Sequence, residues 1–247
     1  MRPDGTGRSF WDRRTVSAGV VLALVVGLLI WLLVTRVGGT HDVGAPTTQH
    51  SPASSVATTV RHTTGWGSAC HVPTGSQAVP QYTPQGITWQ LYQTVALPYS
   101  NAAGPMTVDG GVARCYAHDP VGALLAASQI PYRYLISPDW RQVVQLQVTP
   151  GKGRQVYVAE RSKVTNASGN QPGEYNQLAG FKFVTYSPTV AVIEIVTKNG
   201  NGGLQAGPDT VSWSGGDWKL QLQPDGSSSA QELPVTSLVG FATWSGV

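Results

Sequence analysis

Between Arg14 and Arg36 the chain carries no charged residue. Residues 15–35 read TVSAGVVLALVVGLLIWLLVT, 21 residues dominated by Val, Leu and Ile and free of proline. As a helix this run would extend about 31 Å at ~1.5 Å per residue, close to the roughly 30 Å thickness of a bilayer's hydrocarbon core. Trp11 and Trp31 lie near its two ends, where amphipathic rings favour the headgroup region. The segment predicts a single transmembrane helix over residues 15–37. A cleaved signal peptide is the alternative. Its apolar core is usually ~7–15 residues and is followed by a small-residue cleavage site, and neither feature is met here. The adjacent Arg13 and Arg14 read as the positive flank of an anchor rather than as a twin-arginine signal.

Orientation follows from the flanks. Arg2, Arg8, Arg13 and Arg14 precede the apolar run, and beyond Arg36 the next positive charge is Arg61. The positive-inside bias places residues 1–14 in the cytoplasm and all that follows the anchor outside it. The expected location is therefore the cell membrane, single-pass, with an extracytoplasmic C-terminal part.

Residues 38–68 are rich in Thr, Ser, Gly, Ala and Pro and show no apolar period. They predict a flexible tether with a random-coil span of roughly 30 Å. His41, His50 and His62 fall in this tether, at spacings that hold no metal. Residues 69–247 then form the exported domain.

Charged residues make up 12% of the chain, about half the ~25% of ordinary soluble proteins. Six of the sixteen basic residues lie before residue 62, which leaves the exported domain with ten positive and ten negative charges. The net charge of +3 is thus a topology signal, and a broad basic face for nucleic acid is excluded. With 41% apolar residues and eight tryptophans, a disordered chain is excluded as well.

Cys70 and Cys115 are the two cysteines, both on the predicted outer side, where disulfides persist. Compartment and even count favour a Cys70–Cys115 bridge, whose long loop is worth ~4 kcal/mol in the chain-entropy description. Two buried thiols are one alternative. A zinc set of Cys70, His71, Cys115 and His118 is another, though the usual short ligand spacings are missing.

Within the domain, residues 86–98 alternate as a strand. Asp119-Pro120 opens a helix, with Val121, Leu124, Leu125, Ser128, Tyr132 and Leu135 at helical spacing and Pro131 expected to kink it. Ser137-Pro138 repeats the cap-plus-proline signal before a second helix, 139–148, with Trp140, Val143, Val144 and Gln147 inward. A third helix is expected from Lys152 to about Val164, turning Val156, Tyr157 and Glu160 inward. Residues 165–177 read as a polar loop.

The period then changes to two. Residues 178–186 form a strand with Phe181 and Phe183 on one face, and 190–198 form a central strand. The run NGNGG, 199–203, is a turn. Residues 210–213 and 217–222 flank Ser214-Gly215-Gly216 as a hairpin. In its second strand Trp218, Leu220 and Leu222 face in, and Asp217, Lys219 and Gln221 face out. Residues 223–230 are a polar turn, and 236–244 add a last strand or covering segment. Helices followed by an antiparallel sheet give an α+β domain.

The order of short basic tail, anchor, tether and α+β domain resembles the bitopic, single-pass subunits of conjugative transfer and type IV secretion channels. The segment DPVGALLAASQIPYRYLIS is similar to the first long helix of uncharacterised exported domains found near transfer genes in high-GC Gram-positive bacteria. GFKFVTYSPTVAVIEIVTKN and VSWSGGDWKLQ are similar to the paired strands and hairpin of those proteins. The resemblance covers roughly residues 110–223. It implies a cone-like, nuclear-transport-factor-two-like fold of two or three helices on a curved antiparallel sheet. It also implies a scaffold role, through contacts with other envelope or channel subunits or with further copies of itself.

The sequence holds no G-x-S-x-G, H-E-x-x-H or Walker loop. It predicts no catalytic residue, no cofactor and no metal site, and hence a non-enzymatic protein. Asp217 reads as a turn-flanking polar residue. Trp213, Trp218, Phe181 and Phe183 read as core rather than as pocket lining. A tethered module that binds a ligand or the cell wall is the alternative to the scaffold.

Overall fold

Asp119 starts the central helix. Its side chain accepts a hydrogen bond from the Gly122 backbone N–H at 2.8 Å, and Pro120 occupies the first turn, where a missing N–H costs nothing. This helix, α1, runs Pro120–Ile136 and continues through Pro131. The computed structural model describes residues 70, 72–164 and 175–247. The expected tail, anchor and tether (residues 1–68) and most of the expected polar loop (165–174) lie outside the described residues. Among the described residues no helix is long and apolar enough to cross a membrane.

Ahead of α1 stand two small antiparallel hairpins. β1 (Ile87–Tyr92) pairs β2 (Val95–Ser100), and β3 (Thr107–Asp109) pairs β4 (Val112–Arg114). The first corrects the single strand expected over 86–98. Gln93, with a φ of 53°, turns the chain at that point. After α1 come α2 (Trp140–Gln147) and α3 (Lys152–Lys163). The main sheet follows: β5 (Gln177–Tyr186), β6 (Val190–Lys198), β7 (Leu204–Ser214), β8 (Asp217–Gln221), β9 (Leu233–Val235) and β10 (Ala242–Thr243).

The sheet is antiparallel in the order β10-β5-β6-β7-β8. Both β8 and β9 pair β7, at different levels. β9 matches Leu204–Ala206, and β8 matches Thr210–Ser214. The β7–β8 turn is Gly215-Gly216, both at positive φ, as a two-residue hairpin requires. β6 lies between β5 and β7, as its apolar run predicted.

Helix α1 is covered on several sides, contacting β2, β4, β6, β7 and β8. Leu124, Leu125, Ser128 and Ile130 are buried, and so is Arg133. Arg133 donates to Gln129 Oε1, the Gly111 carbonyl and the Tyr99 hydroxyl, and its guanidinium stands 4.3 Å from the Tyr92 ring centre. These bonds tie both hairpins to α1. Leu135, expected inward, is on the surface, because the core side of the last turn is taken by Tyr134 and Ile136.

The expected inward set of α2 is fully buried. Its cap differs from expectation. Asp139 occupies the cap position, and the Ser137 hydroxyl accepts from the Asp139 N–H instead. On α3, Glu160 is exposed and paired with Lys163, while Tyr157 and Val158 pack on the core. The helix lies on the domain's surface with one narrow contact stripe, so its apolar content was too low to fix the stripe's phase.

Candidate functional site

Two aspartates in the main sheet are buried, and they have opposite surroundings. Asp217, at the start of β8, was expected to face out. It is instead covered by the connector between β4 and α1. Its carboxylate accepts from the backbone N–H groups of Cys115 (2.8 Å), Tyr116 (2.9 Å) and Trp218 (3.0 Å). Burial raises its pKa, and those three donors oppose the rise. Asp217 therefore fastens the connector to the sheet.

The same connector carries the disulfide. Cys70 and Cys115 are bridged, closing a separation of 45 residues. Cys115 has a φ of 66°, a left-handed conformation that the Asp217 carboxylate holds through the Cys115 and Tyr116 N–H groups. With both sulfurs in one bond, Cys115 is not available as half of a zinc set. His118 points elsewhere. Its ring stacks on Trp213, with centroids 3.9 Å apart, and its Nε2 meets the Pro188 carbonyl.

Asp209 is the second buried aspartate, and nothing in the sequence reading singled it out. It lies on β7 opposite Ile193 of β6 and two residues from Val211, so it occupies a core-facing position of the sheet. β7 carries neither β8 nor β9 at this level; an isolated bridge links Asp209 to Ser229. Pro208 is tolerated beside it because no ladder bond is demanded on that edge.

A cavity of about 260 Å³ opens in front of Asp209, between α1 and the sheet. For scale, an engineered ~150 Å³ apolar cavity accommodates benzene. The space comes from small residues. Ala127 faces it from α1 and Gly207 from β7, and Leu178 and Ile195 complete an apolar floor. Glycine at 207 also lets the 229–232 segment close the side. A Cβ there would lie 2.5 Å from Ser229 Oγ and 2.9 Å from Glu232 Cγ. Glu232 and Leu135, both exposed, form part of the mouth.

The polar lining is concentrated. Asp209 is 7% exposed, and among the described residues its Oδ1 has no hydrogen-bond partner; the nearby Ser229 Oγ has none either. Burial, reinforced by the Glu232 carboxylate, pushes the Asp209 carboxyl up to about 7, with a Ser228 hydrogen bond pulling the other way. Tyr132 and Tyr134 line the cavity from α1. The Tyr132 hydroxyl donates to the Asn176 carbonyl at 2.8 Å, and burial raises its pKa. Burial likewise pushes Tyr134 up to about 12. A buried oxygen without a hydrogen-bond partner is costly.

The four rings weighed as pocket lining on sequence grounds are elsewhere: Phe181 and Trp218 are fully buried, and none of the four lines this cavity. The signal that could have found Asp209 is a carboxylate at a core-facing strand position, but the Gly-Pro before it hides the strand.

Helix and antiparallel sheet thus define an α+β domain that encloses a small cavity with a polar, acidic wall. The chain belongs to the family described as Domain of unknown function (DUF8175), which matches residues 49–243 and so begins within the expected tether. No curated protein and no solved structure matches the chain.

Proposed function

We propose that this protein is a membrane-anchored, extracytoplasmic module that binds a small ligand in the cavity between α1 and the sheet. The observation that carries the reading is the cavity of about 260 Å³ lined by the buried Asp209 carboxyl, one oxygen of which has no hydrogen-bond partner among the described residues. The apolar run at 15–37 supplies the anchor and 38–68 the reach. In this reading the long helix and the staggered pairing of β7 make a cone-like, nuclear-transport-factor-two-like fold, with the cavity at its open end. The activity is binding without turnover, so no residue is assigned a catalytic role and no cofactor is needed.

Fragment screening by ligand-observed NMR on the full chain in detergent tests it, with Ala127→Phe as the filled-cavity control. Saturable binding that disappears in Ala127→Phe, with helical content unchanged, is the expected result. Fragments that bind both forms equally would count against the cavity.

A second reading has its own observation. β1 pairs only β2 among the described residues, and Leu91 on it is 72% exposed. A free strand edge with an exposed apolar residue suits pairing with another subunit or another copy of this chain. This is the scaffold role in a conjugation-like or secretion-like envelope complex. Site-specific crosslinking from position 91 in cells should then trap a specific partner. A crosslinking pattern no different from that of an exposed control position would count against it.

A further inference from the structure

We infer that the cavity selects small organic cations, protonated amines above all, with Asp209 as the buried counter-charge and Glu232 as the charge at the mouth. The inference rests on the ligand-binding reading above and names the class of ligand. Two carboxyl groups line the space, and no Lys, Arg or His is among its described lining residues. An anion would meet like charge with nothing to balance it. A neutral apolar molecule would leave the Asp209 and Glu232 carboxyls that line the space without a counter-charge. A molecule with one cationic head and a small apolar body answers both walls. Its charge offsets the Asp209 and Glu232 carboxylates that line the space, and its body covers Ala127, Leu178 and Ile195. Tyr132, Tyr134 and Tyr175 add aromatic lining, the surface on which cations are favoured.

Binding is coupled to protonation. The titratable groups that line the cavity beside Asp209 are Glu232, Tyr132, Tyr134 and Tyr175. A bound cation favours the ionised Asp209, so affinity rises with pH up to about 7 and levels off above it. Below that point it falls by up to about tenfold per pH unit.

Calorimetry on the full chain in detergent at pH 8 tests the class with three probes of one shape: 2-phenylethylammonium, 2-phenylethanol and phenylacetate. The ammonium probe should bind at least ten times more tightly than the alcohol, with phenylacetate weakest. Asp209→Asn should cut the preference for the ammonium probe to the severalfold share that Glu232 supplies. Glu232→Gln, at an exposed position that cannot disturb the core, should weaken the ammonium probe severalfold and spare the alcohol. If alcohol and ammonium bind alike, or the preference survives both substitutions, the cation assignment is overturned and ligand binding stands. If none of the three probes binds, both fall.

Discussion

Asp209 and Asp217 sit eight residues apart at the two ends of one hairpin, and both are buried. Asp217 spends its oxygens on three backbone N–H groups. Asp209 has an oxygen with no partner among the described residues, and its side chain lines a cavity. The lesson is that burial of a carboxylate does not mark function. What marks it is whether the fold itself has used the hydrogen-bonding capacity. At Asp217 the fold has used it to hold a connector, and at Asp209 capacity remains for something else.

Removing Asp217 should have the largest effect. Asp217→Ala leaves buried N–H groups without acceptors and should cost about 5 kcal/mol, at ~1–3 kcal/mol for each orphaned group. Urea unfolding measures it, and a loss below about 1 kcal/mol would place Asp217 among ordinary surface residues. The bridge that pins the same connector comes next. Replacing Cys70 and Cys115 together by serine should cost about 4 kcal/mol, from the loop released in the unfolded chain. The same unfolding curves read this out.

Asp209 should behave in the opposite sense. Its folded-state carboxyl is raised from 3.8 to about 7, so the folded protein holds the proton more tightly than the unfolded chain. Its contribution is therefore most favourable below about pH 4 and is lost as pH rises to about 7. The shift corresponds to roughly 4 kcal/mol as an upper bound. Asp209→Asn should consequently stabilise the protein at pH 8 by about 2 kcal/mol, an advantage that fades toward pH 4. Melting temperatures of both forms across that range would show it. An advantage independent of pH would mean that the carboxyl is not raised. The smallest effect belongs to Tyr132→Phe, which removes the bond to the Asn176 carbonyl and should cost about 1 kcal/mol.

Much of the scaffold was legible in the sequence. The Asp119-Pro120 start, the inward face of α2, the central β6 and the hairpin at Gly215-Gly216 each rest on local signals that the packed structure keeps. Cys70–Cys115 was favoured on compartment and count, and it is bridged. Some misses are local, such as the turn at Gln93 and the cap at Asp139, but the larger ones are non-local. Asp217 alternates with Trp218 as an outward residue should, but a connector a hundred residues earlier covers it. Arg133 is buried because two hairpins far upstream fold over α1, which no helical period can report. The cavity was not legible because its wall is made where β7 loses its neighbours. Gly207-Pro208 interrupts the alternation, so the expected strand begins at Thr210, one residue after Asp209.

The most direct measurement is the titration of the Asp209 carboxyl carbon by NMR, in the free protein and with 2-phenylethylammonium added. The expected midpoint lies near pH 7 in the free protein and moves down when the probe is bound. A midpoint in the ordinary carboxylate range, unmoved by the probe, would contradict it.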